Sequence, residues 1–523
     1  MKTSSIGIVG GKVRTLEPSS SLCEGVLVEH GVIVALGSSG DVERAARGRG
    51  IPVLKLAGQT VLPGPIDTHF HLVHTGLDLS AVDLGHCTCV DDVLQLVEGR
   101  VRGAGPGPWV LGKGLDEFKI REGRPPTAEE LDAISKGNPV FLGDRGIHYC
   151  QLNTLAFDKM GFPVGAPGVR TGADGRATGQ IMEESIGEAW RRLLREIDEG
   201  SKREGILEGV RYAASCGITA IHAMEGGDFS GDNEIQLLLD MQQDLPVRVA
   251  VHWNTFDVDA VMKAGLRFLG GDIWLDGSLG SRTAALQRPY ADAPDSVGHL
   301  YHAQDAIESL VRNCIASGLQ VGFHAIGDRA IEQALCCFEA AADGGRIPDR
   351  SCRLDHFGLP SPEQIRRAAD LGIVVSTQPT FPFLRGGPGS VYETRLGEER
   401  VSRAYPLREL LDAGLLVAGG SDSNVLPADV MLAIHAAVNH PNERERIPPE
   451  QAVRLYTENA ARSGFEEQTR GTLAIDKAGD MIVVDRDPCS VSSAEIQQAR
   501  VVMTVVEGRV VYEKTGEREG GRA

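Results

Sequence analysis

Apolar residues fall along this chain in three textures. From about residue 5 to residue 60, short β-rich runs such as Gly25-Val26-Leu27-Val28-Glu29 and Val32-Ile33-Val34-Ala35-Leu36 alternate with turn signals at His30-Gly31 and Gly37-Ser38-Ser39-Gly40. That is the pattern of a small antiparallel β unit. The same texture returns near the other end, in Met481-Ile482-Val483-Val484-Asp485 and in Val501 to Val506 followed by Glu507-Gly508-Arg509-Val510-Val511. The two ends are therefore expected to complete one β-sandwich.

Beyond residue 215 the pattern changes to apolar runs separated by helical stretches, which predicts βα units and a parallel sheet. Strands are expected at 217–224, 246–253, 272–276, 320–324, 353–356, 372–377 and 415–420, with helices at 233–244, 303–317, 328–342, 361–370 and 406–413. A further apolar run, Val61-Leu62-Pro63-Gly64-Pro65-Ile66-Asp67-Thr68-His69-Phe70-His71, supplies one more strand. Eight strands of this kind close a (β/α)8 barrel, so the expected class is α/β, a TIM-like barrel.

The stretch from 75 to 215 is too long for a single crossover and has strands of its own around 109–112 and 139–142, with a strongly polar helix near 183–199. It is expected to be a subdomain inserted after the first barrel strand, lying over the barrel mouth. The expected organisation is thus 1–60 for the first part of the sandwich, 61–465 for the barrel with 75–215 inserted, and 466–523 for the second part.

Composition narrows the function classes. With 523 residues and 42% apolar content the chain is an ordinary globular protein with room for a large core. A net charge of -19 argues against nucleic acid or an anionic membrane as the main partner and leaves a small-molecule substrate open. The apolar run Ile6-Gly7-Ile8-Val9 is too short for a signal-peptide core and no segment approaches a membrane span, which predicts a cytoplasmic protein. Ten scattered cysteines lack zinc-finger spacing and are expected to be reduced thiols. A homodimer is the expected oligomer.

Barrel enzymes carry their chemistry at the C-terminal ends of the strands. Strand one ends in His69 and His71, which share a face because side chains alternate along a strand. The fifth strand ends in Phe323-His324-Ala325, the sixth in Asp355-His356-Phe357, and the eighth in Gly419-Gly420-Ser421-Asp422. His324 or His356 alone would more often be a hydrogen-bonded core histidine, and Asp422 alone a helix N-cap. Four histidines and a carboxylate, all at strand ends, instead form a site for a divalent metal, with zinc the first expectation. A cation there would lower the pKa of bound water to about 7 and polarise a carbonyl, and a carboxylate within reach would serve as general base and acid.

These residues also carry a resemblance. Leu62-Pro63-Gly64 through His71, Asp276-Gly277-Ser278-Leu279-Gly280-Ser281-Arg282-Thr283-Ala284, His324-Ala325-Ile326-Gly327-Asp328-Arg329-Ala330, Asp422, and Gly471-Thr472-Leu473 through Asp485 resemble the amidohydrolase superfamily, in particular amidohydrolase family 3, which includes N-substituted formamide deformylases. The resemblance implies that His69, His71, His324, His356 and Asp422 bind metal. It also implies that Asp422 accepts a proton from the metal-activated water and passes it to the leaving nitrogen.

One departure stands out. Many relatives have, four residues before the Asp-Gly-Ser motif, a lysine that is carbamylated to bridge two metals, and this chain has Asp272 there. Two metals bridged by Asp272, a single metal, or an altered function all remain open, the shorter aspartate reaching less far than a carbamylated lysine. For the substrate, Arg282, His148 and His222 are candidate contacts. Arg282 could equally tie two loops together, and His222, like His252, ends a strand where it could line the pocket, with support of the ligands from behind the favoured use of each.

The expected activity is metal-dependent hydrolysis of a carbon–nitrogen bond other than a peptide bond, such as an N-substituted amide. Hydrolysis of an ester, lactone or carbamate, or deamination, on the same metal is the alternative. A non-catalytic scaffold is the remaining one, and it fits poorly with a complete set of five ligands.

Overall fold

The computed structural model describes residues 4–18, 22–117, 119–144, 149–182, 185–227, 233–342, 344 and 346–514. The chain divides into two compact units: one comprises the chain up to His71, Val210–Met224 and everything from Gln242 onward, the other Leu72–Gly209 and Glu225–Met241.

In the first unit, eight strands follow one another in chain order within one sheet: Ile66–Phe70, Ala220–Glu225, Arg248–Trp253, Phe268–Trp274, Gln320–Ala325, Cys352–His356, Val374–Thr377 and Leu416–Gly419. The ladders between the first and second strands and from the third through the eighth are parallel. Just beyond the last strand, Ser423 bridges in parallel to Phe70 of the first. There the His71 N–H donates to the Ser423 carbonyl at 2.8 Å and the Asp422 N–H to the His69 carbonyl at 2.9 Å. These bonds bring the two ends of the sheet together, so the expected barrel is present. Its strands are buried on both faces, which is why they read as almost continuous apolar runs.

Helices on the outside form for local reasons that the sequence shows. Pro362–Leu371 opens on a reciprocal cap between Ser361 and Gln364, has Pro362 in its first turn and stops at Gly372, whose φ of 68° is left-handed. Gln304–Ala316 buries Ile307, Leu310, Val311 and Cys314, an apolar stripe at helical spacing.

The fourth strand differs from expectation. The apolar pattern places it at 272–276, whereas the structure has it at Phe268–Trp274. Gly270 and Gly271, which look like a turn in the sequence, lie inside the strand at φ of 75° and 110°, and the register against the fifth strand shifts between Gly270 and Ile273. The glycines make a bulge, which bends a strand and re-aims the side chains that follow. Asp276 consequently falls beyond the strand end.

The composite expected from the two chain ends is one continuous hydrogen-bonded sheet. Its order is Arg509–Glu513, Val501–Val506, Met481–Val484, Thr60–Pro63, Ile6–Arg14, Leu22–Glu29 and Val32–Gly37, with Val53–Lys55 also paired to Ile6–Arg14. Thr60–Pro63 joins the ends, pairing in parallel with Ile6–Arg14 and antiparallel with Met481–Val484. Ile8, Val26, Val28, Val61, Met481, Val483 and Val505, drawn from both ends, share one buried cluster.

The second unit has its own six-stranded sheet, in the order Val169–Thr171, Ala177–Met182, Tyr149–Leu152, Val140–Asp144, Val110–Leu115 and Val82–Asp83. Helix Val90–Ala104 buries Val90, Val93, Val97 and Val101 in a core shared with Val110, Leu131, Val140 and Leu142. The polar helix expected near 183–199 is Ile186–Glu196, which buries Ala189, Leu193 and Leu194. The ten cysteines are unpaired. Among the described residues no helix is long and apolar enough to cross a membrane.

Candidate metal centre

Six side chains from five barrel strands, the first, fourth, fifth, sixth and eighth, meet at the C-terminal rim, and all are buried: His69, His71, Asp272, His324, His356 and Asp422. Two groups have ligand atoms close enough to share an ion: His69, Asp272 and His356 form one, and His69, His71 and Asp422 the other. His69 belongs to both. Its Nε2 lies 3.5 Å from Asp422 Oδ1 and 3.8 Å from Asp272 Oδ1, while His71 Nε2 lies 3.0 Å from Asp422 Oδ1 and 4.0 Å from Asp272 Oδ2. The His324 ring stands 4.4 Å, centroid to centroid, from that of His356, which is 4.9 Å from that of His69.

Each group is held from behind. His69 Nδ1 is 2.7 Å from Asp355 Oδ1, and His356 Nδ1 is 2.8 Å from Gln378 Oε1. His324 Nδ1 faces Asp276 Oδ1 at 3.5 Å, and Asp276 accepts main-chain N–H bonds from Ala285, Ile326 and Gly327. The Asp272 N–H donates to Asn254 Oδ1, and the Trp274 indole N–H donates to Asp272 Oδ2 at 3.0 Å. Asp67 Oδ1 accepts from the N–H groups of both His69 and Ser421, tying the first strand to the turn that carries Asp422.

The backbone is unusual at two of the six positions. His356 has φ of 68° and Asp422 φ of 60°, left-handed values uncommon outside glycine and found where the surroundings over-determine the conformation. Electrostatics favours ligation. Burial pushes the His356 imidazole well below its usual pKa, so it stands neutral with a lone pair available. Burial would raise the Asp422 carboxyl, but the bond with His71 holds it below the ordinary carboxylate range.

The donor set fits a cation. His69 Nε2 is buried and has no hydrogen-bond partner among the described residues, yet it faces two carboxylates. Two buried carboxylates converging on open imidazole nitrogens are unfavourable unless positive charge lies between them.

The remaining candidates are spread more widely. The Arg282 guanidinium is taken by Asp292, with Nη2 to Oδ2 at 2.7 Å and Nε to Oδ1 at 3.1 Å. His222 is buried inside the barrel, where its ring stacks on His252 and its Nδ1 meets Arg353. His148 lies outside the described residues. Sequence reasoning assigned no role to Asp355, Arg353, Gln378, Asn254 or Asp67. A signal for the first two was present: Arg353 and Asp355 are charged residues two apart, on one face of a short strand predicted to lie inside the barrel.

Fold and site together define a barrel hydrolase of the metal-dependent class. The chain belongs to the amidohydrolase family, which it matches over residues 53–512, and is accordingly a hydrolase of carbon–nitrogen bonds. It is similar to the putative amidohydrolase YtcJ of Bacillus subtilis (strain 168), at 29% identity over 97% of this chain and 99% of that protein. Similarity to the N-substituted formamide deformylase of Arthrobacter pascens is 28% over 97% of this chain and 98% of that one. Among solved structures, an uncharacterized metal-dependent hydrolase from Pyrococcus furiosus superposes with a TM-score of 0.80 at 28% identity, over 93% of this chain and 100% of that one.

Proposed function

We propose that this protein is a metal-dependent amidohydrolase that cleaves a carbon–nitrogen bond other than a peptide bond, in an N-substituted amide or a related group, with Asp422 moving the proton. The observation that carries this reading is the placement of Asp422, whose Oδ1 lies 3.0 Å from His71 Nε2 and 3.5 Å from His69 Nε2 at the end of the last barrel strand. His69, His71, His324, His356 and Asp422 would hold the cation, with Asp272 within reach of the same imidazoles as a further or bridging ligand. Imidazole and carboxylate donors suit zinc. When bound, such a cation polarises a carbonyl and lowers the pKa of water to about 7.

The rest of the chemistry falls to the chain's own groups. Asp422, held ionised despite its burial, takes a proton from the water that attacks the carbonyl carbon. It then gives that proton to the nitrogen as the carbon–nitrogen bond breaks, so an amide and water leave as an acid and an amine. Gln378 and Asp276 keep His356 and His324 turned towards the rim. The likeness to the Arthrobacter deformylase supports N-substituted amides as the first substrates to try.

A substrate panel tests the proposal. Protein purified without chelator and reloaded with zinc should turn over an N-substituted formamide or amide faster than a matched ester, lactone or aminopurine. Turnover confined to the ester, the lactone or the aminopurine would overturn the assignment of bond type.

A further inference from the structure

We infer that Arg353, acting through Asp355, is a positioning residue that sets the tautomer and the aim of His69. The inference rests on the metal reading of the rim and deepens it. Arg353 and Asp355 sit two apart in the sixth barrel strand, on one face, and both are 0% exposed. A guanidinium in such a place is costly unless its donors are engaged. Here Nε donates to Asp355 Oδ2 at 2.8 Å, Nη2 to Asp355 Oδ1 at 2.6 Å and also to the Thr68 carbonyl, and Nη1 to His222 Nδ1 at 3.2 Å.

This arrangement has a direct consequence for His69. Both oxygens of Asp355 accept from the guanidinium, whose positive charge favours the ionised carboxylate, and an ionised Oδ1 can only accept from His69 Nδ1, 2.7 Å away. The imidazole proton is thereby kept on Nδ1. Nε2 is left with its lone pair free, buried, without a hydrogen-bond partner among the described residues, and turned towards Asp272 and Asp422. The bond to the Thr68 carbonyl fixes the main chain immediately before His69, so one guanidinium holds both the ring and the backbone of the His-x-His segment. His222 completes the network. A guanidinium has only donors, so His222 Nδ1 is the acceptor, and the ring supports Arg353.

Cobalt binding tests the inference with a readout other than turnover. The Co2+ dissociation constant is measured by chelator competition, and the visible d–d spectrum of the loaded protein is recorded for wild type, Asp355→Asn and Arg353→Lys. Circular dichroism checks the fold of each. Asp355→Asn should bind Co2+ about 10- to 100-fold more weakly, with an altered spectrum, because the amide no longer fixes the His69 tautomer. Arg353→Lys, which keeps the charge but loses the fork, should weaken binding by a smaller factor. If either folded variant kept the wild-type dissociation constant and spectrum, the inference would be wrong. Should Asp355→Asn fail to fold, Arg353→Lys decides. Wild-type protein that took up no Co2+ would overturn the metal reading itself.

Discussion

The main-chain N–H of Asp422 donates to the carbonyl of His69 at 2.9 Å, so the bond that helps close the barrel also sets the proposed proton carrier against the first histidine of the rim. The approach is tight. A Cβ on Gly420 would lie 2.8 Å from the His69 nitrogen and from its Cβ, with the backbone unable to yield cheaply. Gly420→Ala should therefore cost about 2 kcal/mol of stability and displace His69. Denaturant unfolding together with metal analysis checks this; a variant with wild-type midpoint and metal content would refute it.

Asp422→Asn keeps the shape of the side chain and removes its capacity to take a proton. With the fold intact, kcat on an N-substituted amide should fall about 100- to 10,000-fold. Wild-type turnover in a folded, metal-loaded variant would rule out Asp422 as the proton carrier.

Bridging by Asp272 is the proposed basis for a second ion at the rim. Its oxygens lie 3.8 Å from His69 Nε2 and 4.0 Å from His71 Nε2, so the short side chain does reach the imidazoles. Metal analysis of protein purified without chelator should give two ions per chain, and Asp272→Ala should lower that ratio. A wild-type ratio near one would eliminate bridging by Asp272.

Asp487 clamps the first strand of the terminal sheet, accepting from Lys12 Nζ at 2.6 Å and from Arg14 Nε and Nη2 at 2.8 Å each. Burial alone would raise its pKa, but these cations and Ser490 hold it well below the ordinary carboxylate range. A depressed folded-state pKa means stability that is present above the unfolded value of about 3.9 and lost as pH falls below it. Asp487→Asn should then cost about 2 kcal/mol at pH 7 and progressively less below pH ~4. Comparing unfolding midpoints of variant and wild type at both pH values tests the sign; a difference that did not shrink in acid would contradict it.

In the second unit, Lys202 Nζ lies 3.0 Å from Glu234 Oε1, with the two side chains 1% and 0% exposed. Removing one partner strands a buried charge. Glu234→Gln should destabilise by about 3–5 kcal/mol, whereas the double change Lys202→Met with Glu234→Leu should return close to wild type. Thermal melts of the three proteins distinguish a charge effect from a packing effect, because a packing effect would leave the double variant the least stable.

The chain by itself determined the barrel and most of its rim. Apolar runs of strand length at regular intervals, separated by stretches with helical periodicity and caps, admit few arrangements other than a parallel sheet wrapped by helices. Histidines and an aspartate at the ends of those runs then had to share one edge. The fourth strand escaped because a bulge built on Gly270-Gly271 looks like a turn, and only pairing with Gln320–Ala325 shows it to be strand. Asp355, Gln378 and Asp67 escaped for a different reason. Their roles are hydrogen bonds to residues at sequence separations of 286, 22 and 354, which no local pattern encodes. Periodicity and strand-end chemistry are local properties, and so they could be read from the sequence. Which nitrogen of His69 is left open, how far Asp272 reaches, and whether Arg282 is free or taken by Asp292 depend on side chains brought together by barrel and loop closure, and only the tertiary structure decided them.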